Sequence, residues 1–355
     1  MTKLRSLYLS SVHTSSGKTE TALGIGLLLK DKGYKVAYFK PFSRRKGNAT
    51  IDTELEITAK TFGMETAKQS PIFIEPVYFE TLQKQKDEYR KKIIAAYKGL
   101  KEEFDVVLIE GANKFNSFMS FDLDDATLAN QMDNCAIMSV NLFESDTDIC
   151  DLLMQREFLK MRKGTYIGCI LNRVPKIMVA RAKQEFLPYL KTAGIPCFGI
   201  VEKDQRLTAP TFREIMEAVG GKLLDEDESR YDLDVLVKNA IVGAMSAHSA
   251  LSYLRTSGQH AVVITGGDRS DIVLTALETS VAGIVLTGNL YPDQHVISAC
   301  QEKHVPLVLV PHDTYTTVTK VEQTVAGLQV NEASVCKELF GKAIDLDAII
   351  KTLKM

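Results

Sequence analysis

One stretch constrains this chain more than any other: Ser11-Val-His-Thr-Ser-Ser-Gly-Lys-Thr19. It stands directly after the apolar run Leu7–Ser10 and opens a helical pattern, Thr19–Lys32, that Gly33 closes. A loop between a buried strand and a helix N-terminus meets the needs of a phosphate chain. The helix end carries partial positive charge and free N–H groups, and a glycine lets the backbone approach the phosphates closely. Ser11, His13, Thr14, Ser15, Ser16, Gly17, Lys18 and Thr19 are therefore the candidate cofactor-binding residues. Lys18 would rest on the β- and γ-phosphates as a point charge, and the Thr19 hydroxyl would ligate Mg²⁺. The spacing departs from the common G-x-x-x-x-G-K-T: Val12 holds the first glycine position, and the loop begins one residue earlier, at Ser11. The alternative is a solvated serine-rich turn.

The surrounding pattern says what such a loop is mounted on. Apolar runs of strand length recur at Leu7–Ser10, Lys35–Phe39, Val106–Ile109, Ala136–Val140, Tyr166–Leu171 and Cys197–Val201. Several are continuous rather than alternating, as strands buried on both faces require. Helical patterns lie between them, including Asp87–Glu103 with Ile93, Ile94, Tyr97 and Leu100 at helical spacing. Strands alternating with helices predict an α/β fold with a doubly wound, mostly parallel sheet.

Other residues gather at the same sheet edge. Glu110 ends the run Val106–Ile109 and Asp52 follows the second strand and its loop. With Thr19 they make a candidate Mg²⁺ site, since that ion takes one or two carboxylates beside phosphates and water. Asp52 also reads as the cap of the next helix. Lys40, just before Pro41, puts a second cation there, to hold an anionic substrate group or the γ-phosphate. Asn172, after the fifth strand, offers an amide able to read the edge of a purine. ATP and Mg²⁺ are thus the expected cofactors, and Lys18 and Lys40 the expected catalytic side chains if phosphate chemistry occurs.

The pattern restarts after a charged stretch, Leu223–Asp232, that reads as a surface loop. Val262-Val-Ile-Thr-Gly-Gly267 and Ile284-Val-Leu-Thr-Gly-Asn289 echo one another, and a third strand, Pro306–Val310, follows a helix-like His295–Lys303. This predicts a second, smaller α/β unit. Ligands of open parallel sheets collect outside the carboxyl ends of the strands. Gly266, Gly267, Asp268, Arg269, Thr287 and Gly288 are therefore its ligand candidates. Alternatively the glycines only make tight turns, and Asp268 and Arg269 pair with each other.

Composition excludes several classes. Among 355 residues, 43 Lys and Arg stand against 45 Asp and Glu, a formal charge of −2, which argues against broad binding to nucleic acid or anionic membrane. No run is long and apolar enough to span a bilayer and the first residues do not read as a secretory signal, so a cytoplasmic protein is expected. The six cysteines are scattered without C-x-x-C pairs, which is neither a disulfide framework nor a zinc site. The net charge hides a local asymmetry, with Lys18, Lys40, Arg44, Arg45 and Lys46 at the proposed ligand edge. That asymmetry points to an anionic small-molecule ligand.

Residues 1 to about 205 resemble dethiobiotin synthetase and the related amidoligase P-loop proteins, including cobyrinic acid a,c-diamide synthases. The motifs that carry this are Ser11–Thr19, Tyr38-Phe-Lys-Pro41, Ile109-Glu-Gly-Ala112 and Leu171-Asn-Arg173. The resemblance implies that Lys18 and Thr19 bind phosphate and Mg²⁺, that Asp52 and Glu110 complete the metal site, and that Asn172 contacts adenine. Lys40 would match a lysine that holds a carbamate intermediate. His13 stands where an acidic residue is common in the synthetase. Residues of about 212–330 resemble the DRTGG domain, with Asp268-Arg269 and Thr287-Gly288-Asn289 at its hallmarks. In this order the two halves are similar to the N-terminal region of long bacterial phosphotransacetylases.

The expected division is a P-loop domain over 1–205, a DRTGG-type domain over 212–335 and a helical tail over 336–355. The sequence ends at Met355, before any acyltransferase domain, so acetyl transfer is not expected of this chain alone. A nucleotide-dependent regulatory or sensor protein is the first expectation. The alternative is an ATP-dependent carbon–nitrogen ligase acting through a phosphorylated carboxylate or carbamate. The resemblance also implies a homo-oligomer.

Overall fold

The structure, a computed structural model, describes residues 5–43, 53–75, 77–324 and 332–354. The chain forms two compact units, Met1–Asp204 with Leu328–Met355, and Gln205–Gly327.

In the first unit the strands are β1 (Leu7–Ser10), β2 (Val36–Phe39), the two-residue pair β3 (Phe42–Ser43) and β4 (Ile72–Phe73), β5 (Val106–Glu110), β6 (Ala136–Leu142), β7 (Thr165–Val174) and β8 (Cys197–Glu202). Six of them make one sheet in the order β2-β5-β1-β6-β7-β8, and every pairing in it is parallel. β1, β2 and β5 are buried throughout, which is why their sequences are continuously apolar rather than alternating. The chain leaves β1 toward β2 on one side and continues through β6 on the other. The carboxyl end of β1 is therefore the point where the strand order reverses, and the Ser11–Thr19 loop begins there.

The first helix, Lys18–Asp31, lies against this sheet and ends where Gly33, at φ +87°, donates its N–H back to Lys30 O at 2.8 Å. Its other side meets the C-terminal helix Glu332–Ala343. A Cβ on Gly24 would stand 2.6 Å from the Phe340 ring, so the ring seats directly on the first helix, where it is fully buried. The described part of the expected helical tail, residues 336–354, packs within the first unit. Ile344 bridges Gly199, and Asp345 N donates to Phe198 O at 2.8 Å. This segment covers part of β8, which would otherwise be an open sheet edge. The last helix, Leu346–Leu353, buries Ile349 and Leu353.

The second unit holds β9 (Lys222–Leu223), β10 (Asn239–Val242), β11 (Ala261–Gly266), β12 (Gly283–Thr287) and β13 (Leu307–Leu309), ordered β10-β11-β12-β13-β9. All pairings are parallel except β13 with β9. The two echoed segments are the neighbours β11 and β12. Their residues alternate between two apolar layers. Val263, Ile284 and Leu286 pack on one face, and Val262, Ile264 and Val285 pack with Phe212 on the other, as the two-residue period of a strand requires. The charged stretch expected as a surface loop begins with the edge strand β9. It continues into a short 3₁₀ turn, Glu228–Arg230. Among the described residues no helix is long and apolar enough to cross a membrane.

Candidate functional site

The Ser11–Thr19 loop is fastened by its own side chains and by β7. The hydroxyls of Ser11 and Ser16 both donate to His13 O, at 2.9 and 2.6 Å. Asn172 Nδ2 donates to Ser16 O at 2.9 Å, and Arg173 Nη1 to Ser15 O at 2.8 Å. Arg173 also pairs with Glu20 on the first helical turn. Gly17 O accepts from the backbone and hydroxyl of Thr21, at 2.9 and 2.8 Å. Gly17 itself sits at φ +82°, and a Cβ there would fall 2.2 Å from Asn172 Nδ2. Both the backbone angle and the close neighbour demand glycine. Asn172, expected to face a purine, is buried and gives an amide donor to the loop.

Lys18 folds back into this cradle, its ammonium 2.8 Å from Ser11 Oγ and 3.5 Å from Asn113 O. Burial lowers its pKa, opposed by the charge of Glu110. A buried cation held beside neutral oxygens gains most from an incoming phosphate. Thr19 Oγ1 donates to Glu110 Oε2 at 2.7 Å, and Tyr38 OH donates to the same oxygen at 2.7 Å. Burial, then the Glu110 charge, raises the Tyr38 phenol pKa well above its usual value. Lys40 Nζ bridges two carboxylates, Glu54 Oε2 at 2.7 Å and Glu110 Oε1 at 3.3 Å. Glu54 Oε2 also lies 3.4 Å from Thr19 Oγ1. Hard oxygen donors from Thr19, Glu110 and Glu54 so converge beside the loop, the donor set that suits Mg²⁺.

The structure therefore brings together Ser11, Ser16, Gly17, Lys18, Thr19, Lys40, Glu110 and Asn172. Thr14 and Ser15 lie on the exposed outer turn of the loop, with Ser15 at φ +56°. The His13 ring turns away to Asp151, Nε2 to Oδ2 3.2 Å. Asp52, Arg44, Arg45 and Lys46 lie outside the described residues.

Three participants escaped the sequence reading. Tyr38 precedes Lys40 by two residues, so strand alternation puts both on one face, and that signal was available. Glu54 is the second residue of the helix Thr53–Phe62, two positions after Asp52. Asp125 carried no motif. It is buried at the start of the helix Asp125–Gln131, accepting from Ser10 Oγ at 2.6 Å, Tyr8 OH at 3.2 Å and Ala112 N at 3.2 Å. Burial pushes its carboxyl up to about 7, against hydrogen bonding from Ser10 and the charge of Lys18.

In the second unit the candidate residues do meet at the carboxyl edge of the sheet, but the side chains of Arg269 and Thr287 are taken up by other residues of the unit. Arg269 pairs with Asp271, Nε to Oδ1 2.9 Å, rather than with Asp268, and its Nη2 donates to Met245 O at 2.8 Å. The hydrogen bond to Asp271 raises the guanidinium pKa further. Gly267 passes so close to Leu290 O that a Cβ would stand 1.7 Å from it. Gly288 and Asn289 are both left-handed, at φ +78° and +54°, a conformation that Asn tolerates better than most residues. Thr287 Oγ1 shares a hydrogen bond with Thr314 Oγ1 at 2.9 Å.

Comparison with known proteins places these features. The AAA domain model matches residues 5–211, and the DRTGG domain model matches residues 214–324. A phosphate acetyltransferase of Synechocystis sp. is 27% identical over 372 aligned residues, covering 98% of this chain and 52% of that protein. One of Nitratidesulfovibrio vulgaris is 24% identical, covering 89% of this chain and 47% of that protein. The chain spans about half the length of the curated relatives it matches. Among solved structures, the septum site-determining protein MinD of Pyrococcus horikoshii, complexed with Mg-ADP, overlaps 58% of this chain and 84% of its own, at 16% identity and a TM-score of 0.37.

Proposed function

The chain belongs to the AAA domain family and carries a DRTGG domain behind it; on that footing we propose that it binds ATP with Mg²⁺ and serves as a nucleotide-dependent regulatory or sensor protein. The carrying observation is the loop itself. The carbonyl oxygens of Ser15, Ser16 and Gly17 are held by Arg173, Asn172 and Thr21, which leaves the amide N–H groups to meet an anion at the helix N-terminus. Lys18 supplies the countercharge from inside the cradle. Thr19 and Glu110, with Glu54 as the neighbouring carboxylate, would hold Mg²⁺, which when bound neutralises charge on the phosphates. Lys40 balances Glu54 and Glu110 at this edge and would contact the outermost phosphate or an anionic ligand.

Relatives of about twice this length bear the name phosphate acetyltransferase. This supports a regulatory role for the region they share with this chain, sensing nucleotide on behalf of acyl-phosphate metabolism. The test is calorimetry with ATP and Mg²⁺ on the wild type and on Lys18→Ala, with phosphate release measured in parallel. Binding that Lys18→Ala weakens by tenfold or more, without phosphate release, supports the sensor. Phosphate release stimulated by small carboxylates identifies a ligase instead, and absence of binding in the wild type removes the proposal.

A further inference from the structure

Two of the six cysteines face each other across neighbouring strands. Cys169 on β7 and Cys197 on β8 are register partners, and neighbouring strands lie about 4.7–4.9 Å apart. That spacing falls inside the roughly 4.4–6.8 Å window for the Cα atoms of a disulfide. The backbones are locked at this point, with Cys169 N donating to Pro196 O at 2.8 Å. The Cys197 thiol donates to Gly199 O at 3.3 Å, two residues further along β8.

The two sulfurs differ in access. Cys169 is fully buried, whereas Cys197 is half-buried. Cys197 also lines a cavity of about 480 Å³ with Leu187, Lys191, Gly194, Ile195 and Pro196. An oxidant can therefore reach Cys197 first and find the second thiol waiting behind it.

We propose that Cys197 and Cys169 form an oxidisable dithiol, Cys197 the site of attack by a peroxide and Cys169 the resolving thiol. In the first step the Cys197 thiolate attacks one peroxide oxygen. The S–O bond forms, the O–O bond breaks, and hydroxide leaves to be protonated to water. In the second, Cys169 loses its proton and attacks the sulfenic sulfur; the S–S bond forms, the S–O bond breaks, and a second water leaves. Two thiols are oxidised by two electrons and one peroxide is reduced to two waters. The neighbouring Cys169 lowers the Cys197 pKa, while the neighbouring Cys197 and then burial raise the Cys169 pKa, the order of acidity that an attacking and a resolving thiol need.

The pair is coupled to the loop by sequence alone. β7 runs on from Cys169 to Asn172 and Arg173, which hold the carbonyls of Ser16 and Ser15. Intracellular disulfides that form in reducing compartments are usually transient ones of this kind.

The test treats the full chain with equimolar hydrogen peroxide, alkylates the remaining thiols and maps the unreduced peptides. A Cys169–Cys197 link, with the free thiol count down by two and restored by dithiothreitol, is expected. In Cys169→Ser the oxidised Cys197 persists as a sulfenic acid that dimedone captures, while in Cys197→Ser the buried Cys169 stays reduced. Oxidation confined to the exposed Cys150, or a Cys197 carried to sulfinic acid in the wild type with no link, overturns the proposal. The wild-type map alone decides it should a variant misfold.

Discussion

Asp125→Asn probes the buried carboxylate under the phosphate loop. The native carboxyl titrates at about 7, against 3.8 for an unperturbed Asp. A carboxyl whose native pKa is raised favours folding while it remains protonated. Its contribution is therefore fully present below about pH 4 and lost as pH rises through 7. A shift of about three units at 1.36 kcal/mol each is worth about 4 kcal/mol, of which roughly 3 kcal/mol disappears between pH 5 and pH 8. Asn reproduces the shape of the protonated acid. Its carbonyl can accept from Ala112 N and Tyr8 OH, and its NH₂ can face Ser10 Oγ, which also accepts a hydrogen bond from Gln155 Nε2 at 3.1 Å. The assay is urea unfolding at several pH values, with hydrogen exchange read on first-unit peptides so that the two units are followed separately. Wild-type stability should fall by roughly 3 kcal/mol more than that of the variant over pH 5–8. Parallel curves would show that the carboxyl titrates as it does in water, which the buried geometry forbids.

Glu110→Gln keeps the shape of the residue that takes hydrogen bonds from Thr19 and Tyr38 but removes a charge. It should abolish the gain in ATP affinity that Mg²⁺ brings, a loss of about 1.5–3 kcal/mol; calorimetry with and without Mg²⁺ decides, and an undiminished Mg²⁺ effect refutes the metal assignment. Phe340→Ala empties the seat over Gly24 and should cost about 3–5 kcal/mol, seen as faster exchange along Lys18–Asp31. Unchanged exchange would mean that the C-terminal helices do not support the loop-bearing helix. Gly267→Ala drives a methyl into Leu290 O and should destabilise the second unit by about 1–3 kcal/mol, leaving first-unit exchange as it was. An unaltered second unit would contradict that close approach.

Much of the fold is legible in the chain because its central strands are buried on both faces. Leu7–Ser10 and Val106–Glu110 show this, both continuously apolar and continuously buried. The loop at Ser11–Thr19 is equally legible, since phosphate binding needs glycine, lysine and a hydroxyl at set positions on a helix start. β9 and β10 were not. One is two residues long and the other carries Asn239 and Ala240 exposed at the sheet edge, so neither has a pattern to recognise. The C-terminal segment read only as a helical tail, with no sign of what it covers.

Local chemistry thus determined the strands and the loop and marked Lys18, Thr19 and Glu110 as its candidate side chains, because those depend on neighbours a few residues away. Tertiary structure alone decided where distant polar groups find their partners. It put Asn172 on Ser16 O rather than leaving it open, Arg269 on Asp271 and Met245 O rather than on Asp268, Asp125 beneath Ser10, and Glu54 beside Thr19. A buried donor or acceptor takes whichever partner the packed chain brings within reach. For Asp125 and Ser10 that partner is 115 residues away, beyond any periodicity in the chain.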